Sequence, residues 1–399
     1  MANAVRSFKN WLADRRNFIF SRYTRDAKET QEPEKSLVAL PPEIRTRLVK
    51  GVEQLPSNPA DCRAIVDTLD KNYELWRENP NNTGNSVVIL SSPVAAVSRI
   101  LTETLEDWAA DRQIPLKLLP LKSRLDNISE MKAKLENCLQ EESNKSESEA
   151  EFEIVVIPNL SWCFLRSIDG LEGIEYIQSL LCNGSKRRFW IIGAGQVGWQ
   201  YLNSVCGIEA YCGEVFSLPA IAPEDLQSWL EPIVDDLNLS FDKPRLDKQI
   251  LDSNADDRCS YFEHLADISQ GVGTVAVQAF LKSIHCQQAE PEDADADTPA
   301  FREQHLADVP IAIAPSLPNL PDLEPSDQYL LYSLLLHGDL SITELAKSLG
   351  DLESEVQGRV QLLRREGVVE ERDRIVKINP IHYPRVKQEL ASNNFIIKR

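Results

Sequence analysis

Between residues 85 and 195, short apolar runs alternate with helical stretches, and this alternation constrains the fold more than any other feature of the chain. NSVVIL (85–90) is an apolar run bounded by polar residues, the pattern of a strand buried on both faces. AAVSRILTETLEDWAADR (95–112) then sets Val97, Ile100, Leu101, Leu105 and Trp108 at helical spacing. The alternation continues through strand IPLKLLPL (114–121), helix LDNISEMKAKLENCLQ (125–140) and strand FEIVVIP (152–158). Helix GLEGIEYIQSLLCNG (170–184) and strand RRFWIIGAG (187–195) follow, and the acidic EESNKSESEAE (141–151) reads as an exposed loop. Strands separated by helices predict an α/β fold: a parallel sheet between two helical layers.

A chain of this class that binds nucleoside triphosphates places GxxxxGK[ST] between its first strand and first helix. The glycines let the backbone wrap the phosphates, and the Lys supplies charge. Here the junction reads VVILSSPVAAVSRIL. Ser91 and Ala96 stand where the glycines would, and Val97 stands where the Lys would. Ser98 keeps the hydroxyl position that holds magnesium, while Pro93 removes a backbone N–H. The third strand, FEIVVIPNL, ends in Pro158-Asn159 rather than in a magnesium-positioning acid. Ser91, Ser92, Ser98 and Asn159 are thus expected to cap or line a vestigial nucleotide groove. No cofactor is required by this reading, and ATP or ADP binding without hydrolysis stays open.

The order of VVILSSPVAAVSRIL, FEIVVIPNLSWCFLRSIDGLEG, RRFWIIGAGQVGWQYL and FSLPAIAPEDLQSWLEPI resembles that of an AAA+/STAND-type P-loop ATPase. The resemblance makes these the P-loop strand, the Walker B strand, the sensor strand and the strand leading to a helical lid. YFEHLADISQGVGTVAVQAFLKSI (261–284) is similar to the lid helices, joined by an LA-x-x-S-x-G turn. The chain departs from that family at the P-loop Lys, at the Walker B acid and near 271–279, which offers no sensor Arg. The resemblance therefore implies a pseudo-ATPase. Ring ATPases supply an Arg to a neighbour's nucleotide, and Arg187 and Arg188 are candidates for a role that would here be empty.

A competing pattern lies in FWIIGAGQVGWQYL, where Gly193, Gly195 and Gly198 have the GxGxxG spacing of a dinucleotide site and Glu214 follows about 20 residues on. Against it, the strand is the fourth of the series and the helix after it is short.

Residues 286–326 are rich in Pro, Asp, Glu and Ala and read as a linker, within which PIAIAP has the composition to dock locally. Residues 327–399 resemble a winged helix: helices DQYLLYSLLLHG, SITELAKSLG and SEVQGRVQLLRREG, then a wing from VVEERDRIVKINP. Its 11 basic and 11 acidic side chains cancel, and the third helix opens with Asp351, Glu353 and Glu355, so phosphate repulsion disfavours DNA. Gln357 and Arg359 are the residues that would contact DNA or a protein partner.

At the other end, SFKNWLADRRNFIFSRY is amphipathic at helical spacing, with Phe8, Trp11, Leu12, Phe18 and Ile19 on one side and Arg15 and Arg16 among its cations. Residues 1–28 carry seven basic and two acidic side chains, which suits an anionic membrane surface or an acidic partner. The whole chain carries a net charge of −19, which opposes non-specific nucleic-acid binding. Eight scattered cysteines without a CxxC pair fit reduced thiols in a cytoplasmic protein.

The expected domains are a basic N-terminal arm (1–40), a P-loop-like α/β core (41–220), a helical lid (221–285), the linker (286–326) and the winged helix (327–399). The functional expectation is a bacterial adaptor or regulator acting through a protein partner. A nucleotide-gated STAND-type ATPase and a transcription regulator are the alternatives.

Overall fold

The computed structural model describes residues 37–38, 40–80, 84–140, 152–184, 186–241, 257–287 and 309–397. The N-terminal arm (Phe8 to Ile19), the acidic loop at 141–151 and most of the linker lie outside the described residues. Contacts group the chain into two compact units: Ser57–Ala220 with Pro318–Arg399, and residues up to Pro56 with Ile221–Leu317.

The first unit is built on strands β1 (Ser86–Ser91), β2 (Leu116–Leu118), β3 (Glu153–Ile157), β4 (Arg188–Gly195) and β5 (Glu214–Ser217). They form one parallel sheet in the order β2-β3-β4-β1-β5. Helix α1 (Pro59–Glu78) precedes them, and α2 (Val97–Arg112), α3 (Met131–Gln140), α4 (Glu172–Asn183) and α5 (Gln196–Cys206) connect them. Because successive strand residues face opposite sides, Val87, Ile89, Ile154, Val156, Phe189 and Ile191 form one face. They pack with Ile65, Leu69 and Trp76 of α1 and with Leu101, Leu105 and Trp108 of α2. Val88, Val155 and Ile192, on the other face, are equally buried. The expected three-layer α/β fold is what the chain adopts.

Local differences have local causes. β2 covers only Leu116–Leu118, because it is an edge strand paired on one side, although Leu119 N–H still donates to the Val156 carbonyl at 3.0 Å. The helix expected from 125 starts as a 3₁₀ turn, Ile128–Glu130.

The C-terminal part of this unit comprises α6 (Pro325–His337), β6 (Leu340–Ser341), α7 (Ile342–Leu349), α8 (Glu353–Arg365), β7 (Val369–Arg372), β8 (Ile375–Ile378) and α9 (Tyr383–Ser392). The strands form an antiparallel sheet in the order β6-β8-β7. Reciprocal capping boxes open α6, through Glu324 and Asp327, and α7, through Ser341 and Glu344. Every residue from Leu330 to His337 is buried. A helix apolar on all sides cannot border water, and α6 satisfies this by packing on α5 and α7. Residues expected as a separate domain beyond a linker therefore share a compact unit with the α/β core.

The second unit holds helices Pro42–Gln54, Pro223–Leu237, Asp257–Ile268 and Gly273–Ser283. Between the last two, Ser269 is fully buried and its hydroxyl donates to the Ala266 carbonyl, while Gly271 takes a positive φ of 69°. The LA-x-x-S-x-G turn thus has a structural basis, since a left-handed residue there reverses the chain without Cβ strain. From the linker, Val309–Ala312 forms a strand paired antiparallel with Ile284–Gln287 and parallel with Ser240–Phe241, so the PIAIAP segment docks. Among the described residues, no helix is long and apolar enough to cross a membrane.

Candidate functional site at the carboxyl edge of the sheet

In open parallel sheets, ligands sit beyond the carboxyl ends of the strands. Here that edge is made by Ser91-Ser92 after β1, Pro158-Asn159 after β3 and Gly195 at the end of β4. Ser91 and Gly195 are register partners.

The loop from β1 to α2 is closed on itself. Ala95 N–H donates to the Ser92 carbonyl at 2.9 Å and Val97 N–H to the Ala95 carbonyl at 3.0 Å. Two amides that would have to face phosphate are thereby spent. The Ser91 hydroxyl is buried and donates to the Ser92 carbonyl at 3.3 Å. Val97, in the Lys position, is 4 % exposed and belongs to the apolar cluster between α2 and the sheet. Ser98 is half-buried in the first turn of α2, and its carbonyl accepts from Thr102 Oγ1 at 2.7 Å. Across the edge, Asn159 Oδ1 accepts from Ser161 N–H at 3.0 Å and caps a 3₁₀ turn, Leu160–Cys163. The four residues expected at the groove thus line one edge, and Ser91 and Asn159 are engaged in local hydrogen bonds.

The C-terminal segment meets the same edge. The Tyr383 phenol is pushed up by burial and lies beside the Ser92 hydroxyl, which draws it partly back. Gly338 has φ 77°, and a Cβ there would lie 3.6 Å from the Pro93 carbonyl oxygen. Gly198 in α5 is in contact with the Leu336 carbonyl at the end of α6, where any side chain would collide.

Arg124, in the loop after β2, ties these pieces together. Its Nε donates to the Phe164 carbonyl at 2.9 Å and its Nη2 to the Ser161 carbonyl at 2.8 Å. Its Nη1 reaches the Asp339 carbonyl at 3.0 Å and Glu344 Oε1 at 3.4 Å. Burial pulls the guanidinium down from its ordinary value, while Glu344 and Asp339 oppose that. Nearby, Arg166 N–H donates to His337 Nε2 at 3.3 Å, and Arg166 Nη2 donates to the Ser348 carbonyl at 3.0 Å. His337 packs on the Phe164 ring at 4.7 Å between centroids. Burial first, then the Arg124 and Arg166 charges, hold its imidazole well below the ordinary value and neutral. Burial pushes the Cys163 thiol up to about 12, so it is no nucleophile.

At the β1–α2 loop and the end of β3 the arrangement departs from the nucleotide-binding pattern. It offers no phosphate-facing cation in the loop and no acid after β3, and two loop amides are already bonded. Among the described residues, no group of three or more His, Cys, Asp or Glu is placed to hold a metal ion.

The glycine fingerprint also has a packing explanation. A Cβ on Gly193 would collide with the Pro158 carbonyl and with Leu101, and Gly198 is set by Leu336. Glu214 begins β5 opposite Val87, at the amino end of the strands, and pairs with Lys71 at 3.6 Å. A ribose-binding acid would be needed at the other end.

Gln357 and Arg359 lie on α8, and no hydrogen bond or ion pair joins them to the residues of the edge. Sequence reasoning missed Arg124, Arg166, His337, Gly338 and Tyr383. His337 and Gly338 end a helix that the sequence marks and Arg124, Arg166 and Tyr383 lie outside any motif, and nothing local gives any of the five its role, which comes from partners far along the chain.

No protein-family model matches the sequence, and no curated protein matches it. Solved structures do resemble the fold weakly. The ORC2 protein of Aeropyrum pernix, in ADPNP-ADP complexes, is 12 % identical over 85 % of this chain and 95 % of that one, with a TM-score of 0.38. Cdc6p from Pyrobaculum aerophilum is 12 % identical over 85 % and 95 %, with a TM-score of 0.35. The Holliday junction branch migration motor RuvB of Thermotoga maritima is 13 % identical over 84 % and 96 %, with a TM-score of 0.32. At such identities and scores these likenesses establish nothing about activity.

Proposed function

We propose that the protein is a non-catalytic adaptor or regulator built on a degenerate AAA+-type P-loop core. The observation that carries this reading is the state of the β1–α2 loop, in which Val97 is buried in the core and the backbone amides of Ala95 and Val97 are bonded within the loop. Tyr383 and Gly338 of the chain's own C-terminal segment lie against that loop. The helix–strand–helix–helix–hairpin order of residues 325–378 supports reading that segment as a winged helix. Its position on the carboxyl edge gives it the role of a fixed plug in place of a nucleotide. Function then passes to surfaces that engage protein partners, and the basic arm at Phe8, Trp11, Leu12, Arg15, Arg16, Phe18 and Ile19 is one such surface, with an anionic membrane as its other occupant.

Calorimetric titration with ATP and ADP, each with and without magnesium, tests the reading. No heat of binding and no phosphate release are expected. Magnesium-dependent turnover by the purified chain would refute it.

A further inference from the structure

The stretch expected as a linker contains a repeat of period three. From Ser316 it reads SLP, NLP, DLE, and prolines stand at 315, 318, 321 and 325. The structure carries the same period. Ser316, Asn319 and Asp322 are exposed, whereas Leu317, Pro318, Leu320, Pro321 and Leu323 are half-buried. A period of three is that of neither a strand nor an α-helix. It is that of a polyproline-II helix, with three residues per turn and a rise of about 3.1 Å per residue.

Backbone chemistry points the same way. Each proline fixes its own φ, and the residue before it is pushed to extended geometry. Ala314, Leu317, Leu320 and Glu324 are therefore restricted along with the prolines. Glu324 has φ −70° and ψ 156°, within the polyproline-II region. No turn or bend interrupts residues 313–324, and no backbone–backbone hydrogen bond involves residues 314–323. A polyproline-II helix has no internal hydrogen bonds to make.

The two ends, by contrast, are held. Ile313 N–H donates to the Ser283 carbonyl at 3.0 Å, and the Pro315 carbonyl accepts from His264 Nε2 at 3.1 Å. At the far end, Glu324 and Asp327 form the capping box that opens α6. Between these anchors, at Leu317 and Pro318, the chain passes from one compact unit to the other.

We propose that residues 315–324 form a semi-rigid polyproline-II strap that couples strand Val309–Ala312 to α6, so that a displacement at one end is passed on to the other. A Gly/Ser-type linker would absorb such a displacement. The competing use of an LPNLP run is as a ligand for a proline-binding module of another protein. The Leu and Pro sides that such a module reads are the half-buried ones here. The inference stands whether or not the edge of the sheet binds nucleotide.

Pulsed electron paramagnetic resonance on the full-length chain tests the strap. Spin labels go on Ser316→Cys and Asp322→Cys, with Cys182→Ser and Cys259→Ser removing the exposed thiols. The two positions lie on one exposed edge, about 19 Å apart in polyproline II and about 12–15 Å apart, with a broad spread, in a flexible coil. A single narrow distribution at the longer distance is expected. Pro318→Gly combined with Pro321→Gly should at least double its width. Asn319→Pro should leave it unchanged, because the backbone N–H lost there is unbonded and the imposed φ fits. Amide hydrogen exchange tests the coupling. His264→Ala should speed exchange in the first turns of α6 at least threefold, and should have no such effect once the strap carries the two glycines. A broad wild-type distribution, a width unmoved by the glycines, or a distance lost in Asn319→Pro would overturn the strap. So would a distribution that narrows only when a proline-binding domain is added. Exchange in α6 that ignores His264→Ala would overturn the coupling.

Discussion

Arg124 and Glu344 stand 220 positions apart in the chain and meet as a 3.4 Å ion pair, with side chains only 3 % and 12 % exposed. The same guanidinium also serves three carbonyls, those of Ser161, Phe164 and Asp339. This one side chain therefore joins the loop after β2, the turn after β3 and the start of the C-terminal sheet.

Removing it should be costly. Arg124→Met leaves a buried carboxylate and three carbonyls short of a donor, and a broken buried pair of this kind loses about 3–5 kcal/mol. Denaturant unfolding should show that loss. Arg124→Lys should recover only part of it, because an ammonium cannot reproduce the planar fork.

The glycines of GAGQVG separate by packing. Gly198→Ala should destabilise by about 1–3 kcal/mol, as an overpacked contact does, because its Cβ meets the Leu336 carbonyl. Gly195→Ala should be tolerated, since its nearest neighbour is Pro93 Cα at 3.8 Å. Thermal melts of the two variants, compared directly, check this. Equal losses, or NAD binding abolished by both, would contradict it.

A lysine at position 97 should not create a nucleotide site. Val97→Lys places a charge in the apolar cluster of α2 and the sheet, and an unpaired buried ammonium costs at least about 2 kcal/mol. Calorimetry should find no ATP binding, and unfolding should come at lower denaturant. Nucleotide affinity gained by this variant would show that the groove is open.

His337 makes stability depend on pH. Its folded value is depressed below the ordinary 6.5 by burial and by Arg124 and Arg166. The unfolded chain therefore takes up a proton first as pH falls through 6.5, and folded stability drops with it. The limiting slope is about 1.4 kcal/mol per pH unit. Asp61 acts in the opposite sense. Burial raises its carboxyl from 3.8 to about 6, so it favours the folded state below 3.8 and loses that effect as pH rises toward 6. The comparison that isolates His337 is wild type against His337→Phe, with unfolding measured from pH 7.5 to 5. The variant should lose less stability on acidification.

The α/β class was legible along the chain because periodicity is a local property. NSVVIL and FEIVVIP read as strands from their own residues, and AAVSRILTETLEDWAADR as a helix from its own spacing. That Val97 and Asn159 stand where the P-loop pattern has a lysine and an acid was legible for the same reason, since a motif position is either filled or not. Folding decided what packs against that edge. Nothing in SRLDN marks Arg124 as a buried hub, and nothing in FLRSI or LLLHGDL announces that Arg166 and His337 share a hydrogen bond. Likewise, Gly198 resembles a phosphate-binding glycine until the Leu336 carbonyl is found against it. Each of those roles includes a partner more than a hundred positions away, brought together when α6, buried along its length from Leu330 to His337, packs against the core.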